Sequence, residues 1–246
     1  MKIPTITGII DRRILINYRV DSQVLSQYLP APFRPKLVKG HGIAGICLIR
    51  LKNIRPKGMP GTIGISSENG AHRIAVEWTE NDMIKEGVYI PRRDTSSTLN
   101  ALAGGCVFPG VHHKAKFAVG EKEGEYKVSF RSDDDTHLSI NARETDQLND
   151  NSIFDSLDQV SQFFENGSVG YSPDKPGDAF DGLELSTNQW KVSPLSVSRV
   201  KSGFFEDEQV FPRGSVVFDN ALLMTNIEHE WRSLEEIKKA TNTSEK

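Results

Sequence analysis

"VHHKAKFAVGEKEGEYKVSFRSDDDTHLSINARE", residues 111–144, is three stretches of alternating residue character separated by two short polar breaks. Successive side chains of an extended chain point to opposite faces. In 111–121, His113, Ala115, Phe117 and Val119 therefore share one face, and His112, Lys114, Lys116 and Ala118 share the other. "EYKVSFRSD" (125–133) and "HLSINARE" (137–144) repeat the alternation, and "KEG" and "DDDT" are tight turn-formers. Three consecutive strands joined this way make an antiparallel meander. The central part of the chain is thereby assigned to β structure.

Working outward, most other segments read as strands too. "RRILINYRV" (12–20) alternates, and "GIAGICLIRLKNIR" (42–55) is a long apolar run, bent at its glycines. "TIGISS" (62–67) and "HRIAVEWTE" (72–80) flank Asn69–Gly70, a strong hairpin signal, and "GVYIP" (87–91) follows. Toward the C-terminus come "GLELST" (182–187), residues 190–205, and residues 215–231 with a bulge or turn at Asp219–Asn220. Residues 170–182 read as the longest irregular loop.

Three segments change period to that of a helix. "DSQVLSQYLP" (21–30) is capped by Asp21 or Ser22 and stopped by Pro30. "DTSSTLNALAGG" (94–105) is capped by Asp94, Thr95 or Ser96, with Leu99, Leu102 and Ala103 as its stripe. "NSIFDSLDQVSQFFENG" (151–167) is capped by Asn151 or Ser152, with Ile153, Leu157, Val160 and Phe164 lining one face. Many short strands with few short helices predict a mainly β (α+β) chain forming a single antiparallel barrel or cone. Residues 1–232 form that domain, and 233–246 are a polar tail, a frayed helical turn followed by disorder.

Composition narrows the function. The 246 residues carry 30 basic and 33 acidic side chains, so neither nucleic acid nor an anionic membrane is an expected partner. Cys47 and Cys106, far apart, read as buried small apolar side chains. The start of the chain has no signal-peptide pattern, and no apolar run reaches about 20 residues, which predicts a cytoplasmic protein. No nucleotide, dinucleotide or serine-hydrolase motif occurs. No metal is expected: His112 and His113, being adjacent on a strand, point to opposite faces. No cofactor is implied.

The succession "SENGAHRIAVEW", "GVYIPRRDTSS", a short helix, then "FPGVHHKAKF" resembles the YqjF-like family, domain of unknown function 2071, within the acetoacetate decarboxylase-like superfamily. The resemblance spans roughly residues 10–231, with its specific motifs between 66 and 117. It implies a β-barrel or cone around a small-molecule cavity. In acetoacetate decarboxylases the corresponding turn carries adjacent lysines, one of which forms a Schiff base while its neighbour lowers its pKa. Aligning the shared alanine with Ala115 puts His112 and His113 at those positions, Lys114 on a leucine and Lys116 on a later lysine.

Two classes of function follow. In the first, the protein is a lyase acting on a keto acid or related carbonyl compound. Lys114 or Lys116 is then the amine, Glu68 the proton shuttle and His112 a catalytic neighbour. Arg73, Arg92, Arg93, His113 and Asn69 hold the substrate, with Asn69 and Arg73, like Glu68, carried over from the family pattern. In the second, the protein is a non-catalytic barrel that binds an acidic or carbonyl ligand and has lost the Schiff-base lysine. The edges of such a barrel leave room for a homo-oligomer.

Overall fold

The architecture is set by strands too long and too apolar to have a wet face. In the computed structural model, which describes residues 4–98 and 109–239, β1 (Ile6–Asp21), β4 (His41–Pro56) and β5 (Ile65–Glu80) each run 16 residues. Between β1 and β4 lie α1 (Ser22–Tyr28), β2 (Arg34–Pro35) and β3 (Leu37–Val38). The chain continues through β6 (Met83–Thr95), β7 (His112–Lys122), β8 (Glu125–Ser132), β9 (His137–Glu144) and α2 (Leu157–Asn166). It ends with β10 (Val169–Pro173), β11 (Ala179–Ser186), β12 (Ser193–Ser202), β13 (Val216–Ser233) and β14 (Ile237–Lys238).

The strands β13-β1-β4-β5-β6 form a central antiparallel sheet that closes on itself twice. β6 pairs in parallel through Arg93–Thr95 with β7 and through Val88–Tyr89 with β10, whereas the other strand pairs among the described residues are antiparallel. β13 likewise gives Ala221–Leu223 to β12 and Glu230–Ser233 to β11. One closure runs through the meander β7-β8-β9 and β12. The other runs through β10 and β11.

Alternation then sorts the side chains into two cores, back to back. Ile14, Ile16, Ala44, Ile46, Leu48, Ile74 and Val76 face the meander and meet Val128, Phe130, Leu138 and Ile140. Leu15, Cys47, Leu51, Ala71 and Ala75 face the other way and meet Phe164, Leu183 and Trp231. Double-sided burial is why these strands read as continuous apolar runs.

The predicted mainly β barrel, its meander, α1 with its Asp21 cap and the irregularity at Asp219–Asn220 are all present. Several local expectations are corrected. Asn69–Gly70 is not a hairpin: β5 runs straight through it, and a Cβ on Gly70 would lie 3.0 Å from the Phe130 ring. The glycine serves close approach, and the hairpin sits at Asn81–Asp82, both with positive φ. The irregularity in β4 falls at Asn53, φ 54°, rather than at its glycines. α2 starts at a Ser156 cap, because the Ser152 hydroxyl is taken by buried Asp219. Residues 170–182 hold most of β10 and the start of β11 rather than one loop, and Ile237–Lys238 pair with β11 rather than forming a helical turn. Asp94 lies in β6, which runs to Thr95, and its carboxylate is taken by Arg92 and Ser132; residues 99–105 of that predicted helix, with Leu99, Leu102 and Ala103, lie outside the described residues.

Candidate functional site

Where β10, β11 and α2 cover the central sheet, they leave a cavity of about 110 Å3. That is several times the space one water needs. Its walls are apolar, built from Ile49, Leu51, Ile90, Phe164, Leu183 and Trp231. Into it project Arg13 from β1, Arg73 from β5 and Arg93 from β6, with Cys47, Asn69 and His112 beside them.

The arginines are in an unusual position. None of the three is in an ion pair with a carboxylate among the described residues. Arg73, 3% exposed, donates from Nε to Cys47 Sγ at 3.0 Å and from Nη2 to Asn17 Oδ1, while its Nη1 carries no hydrogen bond. Its guanidinium lies over the Phe164 ring, 4.4 Å from the centroid. Arg93 donates from Nη2 to Ser172 Oγ at 3.2 Å, and its Nε has no partner. Arg13 reaches Cys47 Sγ at 3.6 Å through Nη2, and its Nε is also unpartnered.

Burying a cation without an anion costs free energy, and the charged state weakens accordingly. Burial brings Arg93 down to about 10 and also lowers Arg73. Cys47 responds in the opposite sense. Burial pushes its thiol up, but the Arg73 and Arg13 guanidiniums together hold it below the ordinary thiol range. A further polar chain supports Arg73 from behind. Asn17 donates to Asn220 Oδ1 at 2.7 Å, and Asn220 donates to Asp219 Oδ2 at 2.6 Å.

Strand alternation decides which predicted site residues meet. Asn69, Arg73, Arg93 and His112 share the cavity face. Glu68 and Arg92 fall on the opposite face of the same strands. Glu68 accepts from Arg12 Nη2 and from Arg50 Nε, both at 2.6 Å, and those arginines also pair with Glu121. Its carboxylate is thus consumed in a closed ion-pair network at the end of the meander closure. Arg92 is forked onto Asp94 and Asp134, and His113 Nδ1 lies 3.5 Å from Asp134. Asp94 also accepts from Ser132 Oγ at 2.6 Å, so its oxygens are occupied although it borders the cavity.

Lys114 shares a face with His112, but its Nζ is turned to Ser96 O and to Thr98 Oγ1 at 2.8 Å. Lys116 is exposed. No lysine is among the described residues lining the cavity. Sequence reasoning missed Arg13, Cys47 and the aromatic walls Trp190 and Trp231. A signal for Arg13 exists: in "DRRILINYR" a charge sits inside a strand buried on both faces. No group of His, Cys, Asp and Glu among the described residues has the geometry of a metal site. No helix among them is long and apolar enough to cross a membrane.

A doubly closed, mainly β sheet around a small polar-floored cavity is the acetoacetate decarboxylase-like fold. Acetoacetate decarboxylase from Legionella pneumophila superposes with a TM-score of 0.58 at 12% identity, over 95% of this chain and 88% of that one. The enduracididine biosynthesis enzyme MppR complexed with pyruvate gives 0.56 at 12% identity, over 96% and 90%. An acetoacetate decarboxylase-like enzyme from Sphingomonas wittichii RW1 gives 0.55 at 12% identity, over 95% and 92%. The chain belongs to the DUF2071 family, described as an uncharacterized conserved protein, whose model matches residues 10–225. No curated protein matches the sequence significantly.

Proposed function

We propose that this protein binds a small organic carboxylate, of the size of a short keto acid, in the cavity between the central sheet and β10–β11. The observation that carries the reading is the set of three guanidiniums, Arg13, Arg73 and Arg93, facing one largely apolar cavity with no carboxylate among the described residues to pair them. A ligand carboxylate would take up the unpartnered Nη1 of Arg73 and Nε of Arg93 through charge-assisted hydrogen bonds. Asn69, its amide taken by Ser67 and Thr95, shapes the same wall, and His112 sets an imidazole beside it for a carbonyl or hydroxyl next to that carboxylate. The apolar remainder accepts a short carbon chain. That MppR, a structure of similar fold, was determined with pyruvate bound agrees with this ligand class.

The absence of a lysine among the described lining residues favours a binding role over Schiff-base lyase chemistry. Titration calorimetry tests the reading with pyruvate and acetoacetate against their methyl esters. Saturable heats are expected from the anions and not from the esters. Equal binding of the esters, or no binding of any of the four, would overturn it. In the same preparation, borohydride reduction with pyruvate is expected to leave Lys114 and Lys116 unmodified.

A further inference from the structure

Cys47 is the cavity group with no role so far. It sits in mid-strand on β4, 2% exposed, among apolar neighbours, where an unmodified thiol would need no polar partner. Two guanidiniums nevertheless point at its sulfur, Arg73 Nε at 3.0 Å and Arg13 Nη2 at 3.6 Å. A neutral thiol is a weak acceptor, and two cationic donors on one sulfur fit a thiolate far better. Independently, Arg73 Nη1 and Arg93 Nε line the same cavity with no partner, so an anion held there would lie beside the sulfur.

We infer that Cys47 is the nucleophile of this cavity and adds to the carbonyl carbon of a 2-oxo carboxylate held by Arg73 and Arg93. The inference rests on the carboxylate-binding reading above and names the ligand class within it. In the addition, the sulfur–carbon bond forms as the carbon–oxygen π pair moves onto oxygen. The proton that the thiol gave to solvent on ionising returns from solvent to that oxygen, so the product is a hemithioketal. No oxidant, reductant or third reactant enters, and the step is reversible. The arginines have two tasks: they hold the sulfur as thiolate and fix the carboxylate one bond from the carbon attacked.

Two probes test this. The first is the rate at which Cys47 is alkylated, read by peptide mass, with iodoacetate and with neutral iodoacetamide. Iodoacetate is expected to be preferred on the order of tenfold, the effect of one charge-assisted contact, with pyruvate protecting. Arg93→Gln is expected to abolish the preference for iodoacetate. The second is [2-13C]pyruvate, whose carbonyl resonance is expected to move into the tetrahedral-carbon range with wild type and to stay trigonal with Cys47→Ser. Pyruvate that binds calorimetrically yet stays trigonal with wild type, or a Cys47 that iodoacetate does not reach, would overturn the inference and leave the binding reading standing. Absence of both binding heat and labelling would overturn both.

Discussion

At Arg73 one side chain meets three demands. Its Nε holds Cys47, its Nη2 anchors to Asn17, and its Nη1 carries no hydrogen bond and is the atom proposed to meet a ligand. Replacing it by Gln keeps much of the bulk and removes the charge. A charge-assisted hydrogen bond is worth about 1.5–3 kcal/mol, so Arg73→Gln should weaken pyruvate binding about 10- to 100-fold. Arg73→Lys should fall short of restoring it, because an ammonium cannot serve three directions in one plane. Calorimetry on the two variants checks both statements; wild-type affinity in Arg73→Gln would remove this residue from the site. The same residue shows what was legible beforehand. Asn69 and Arg73 stand out through the family pattern, and Arg93 and His112 through clusters of charge in the sequence; all four line the cavity. Arg13 and Cys47 do not stand out, since nothing in a single strand says which distant strand will lie beside it. Alternation could separate Glu68 from Asn69, but not say that Arg12 and Arg50 wait on the Glu68 side.

Strands and helices were easier to read than their boundaries, for reasons that individual residues make plain. Gly70 follows an asparagine, the signature of a tight turn, yet its role is to let Phe130 approach from across the barrel. Gly45 is the stronger case. A Cβ there would lie 2.1 Å from the Ile16 carbonyl oxygen of the adjacent β1, where backbone cannot give way. Gly45→Ala should therefore destabilise on the order of 3 kcal/mol in urea unfolding, whereas Gly61→Ala, with nothing within 4 Å, should be near neutral. Equal midpoints for the two would contradict the packing of β1 on β4. The start of α2 makes a comparable case. Residue type alone points to Asn151 or Ser152 as the cap, but it is Ser156 Oγ that accepts from the helix, from Gln159 N. Ser156→Ala should cost about 1 kcal/mol, the usual value of a cap. Ser152→Ala should cost more, about 1.5–3 kcal/mol, because it strips a hydrogen bond from the buried Asp219 carboxylate. The reverse order would restore the sequence-based cap.

Across the whole molecule, two cores share one sheet, so ionisation in either closure acts on a common unfolding transition. His72 faces the meander core, 0% exposed and packed at a tilt on Phe204 with ring centroids 4.4 Å apart. Burial, with Arg92 and His113 nearby, drives its pKa from 6.5 down to about 3. His229 borders the other closure and packs on Trp231, and burial brings it down to about 4. Both imidazoles are neutral when folded and free to protonate when unfolded. Their contribution is complete above the unfolded value of 6.5 and is lost as pH falls toward the folded values. Each should remove about 1.4 kcal/mol of stability per pH unit within that window. The paired carboxylates act later. Burial works to raise Glu121, but its hydrogen bonds from Arg12 and Arg50 hold it below 4.5; Asp134 is held below 3.8 chiefly by its hydrogen bond from Arg92. Their support is therefore complete above those ordinary carboxylate values and fades only below them. The two windows can be told apart by urea unfolding between pH 7 and 3.5. His72→Gln should flatten the slope between pH 6 and 5 by about 1.4 kcal/mol per pH unit and leave the steepening below pH 4.5 in place. An unchanged slope between pH 6 and 5 would mean that His72 is already charged, or already wet, in the folded protein.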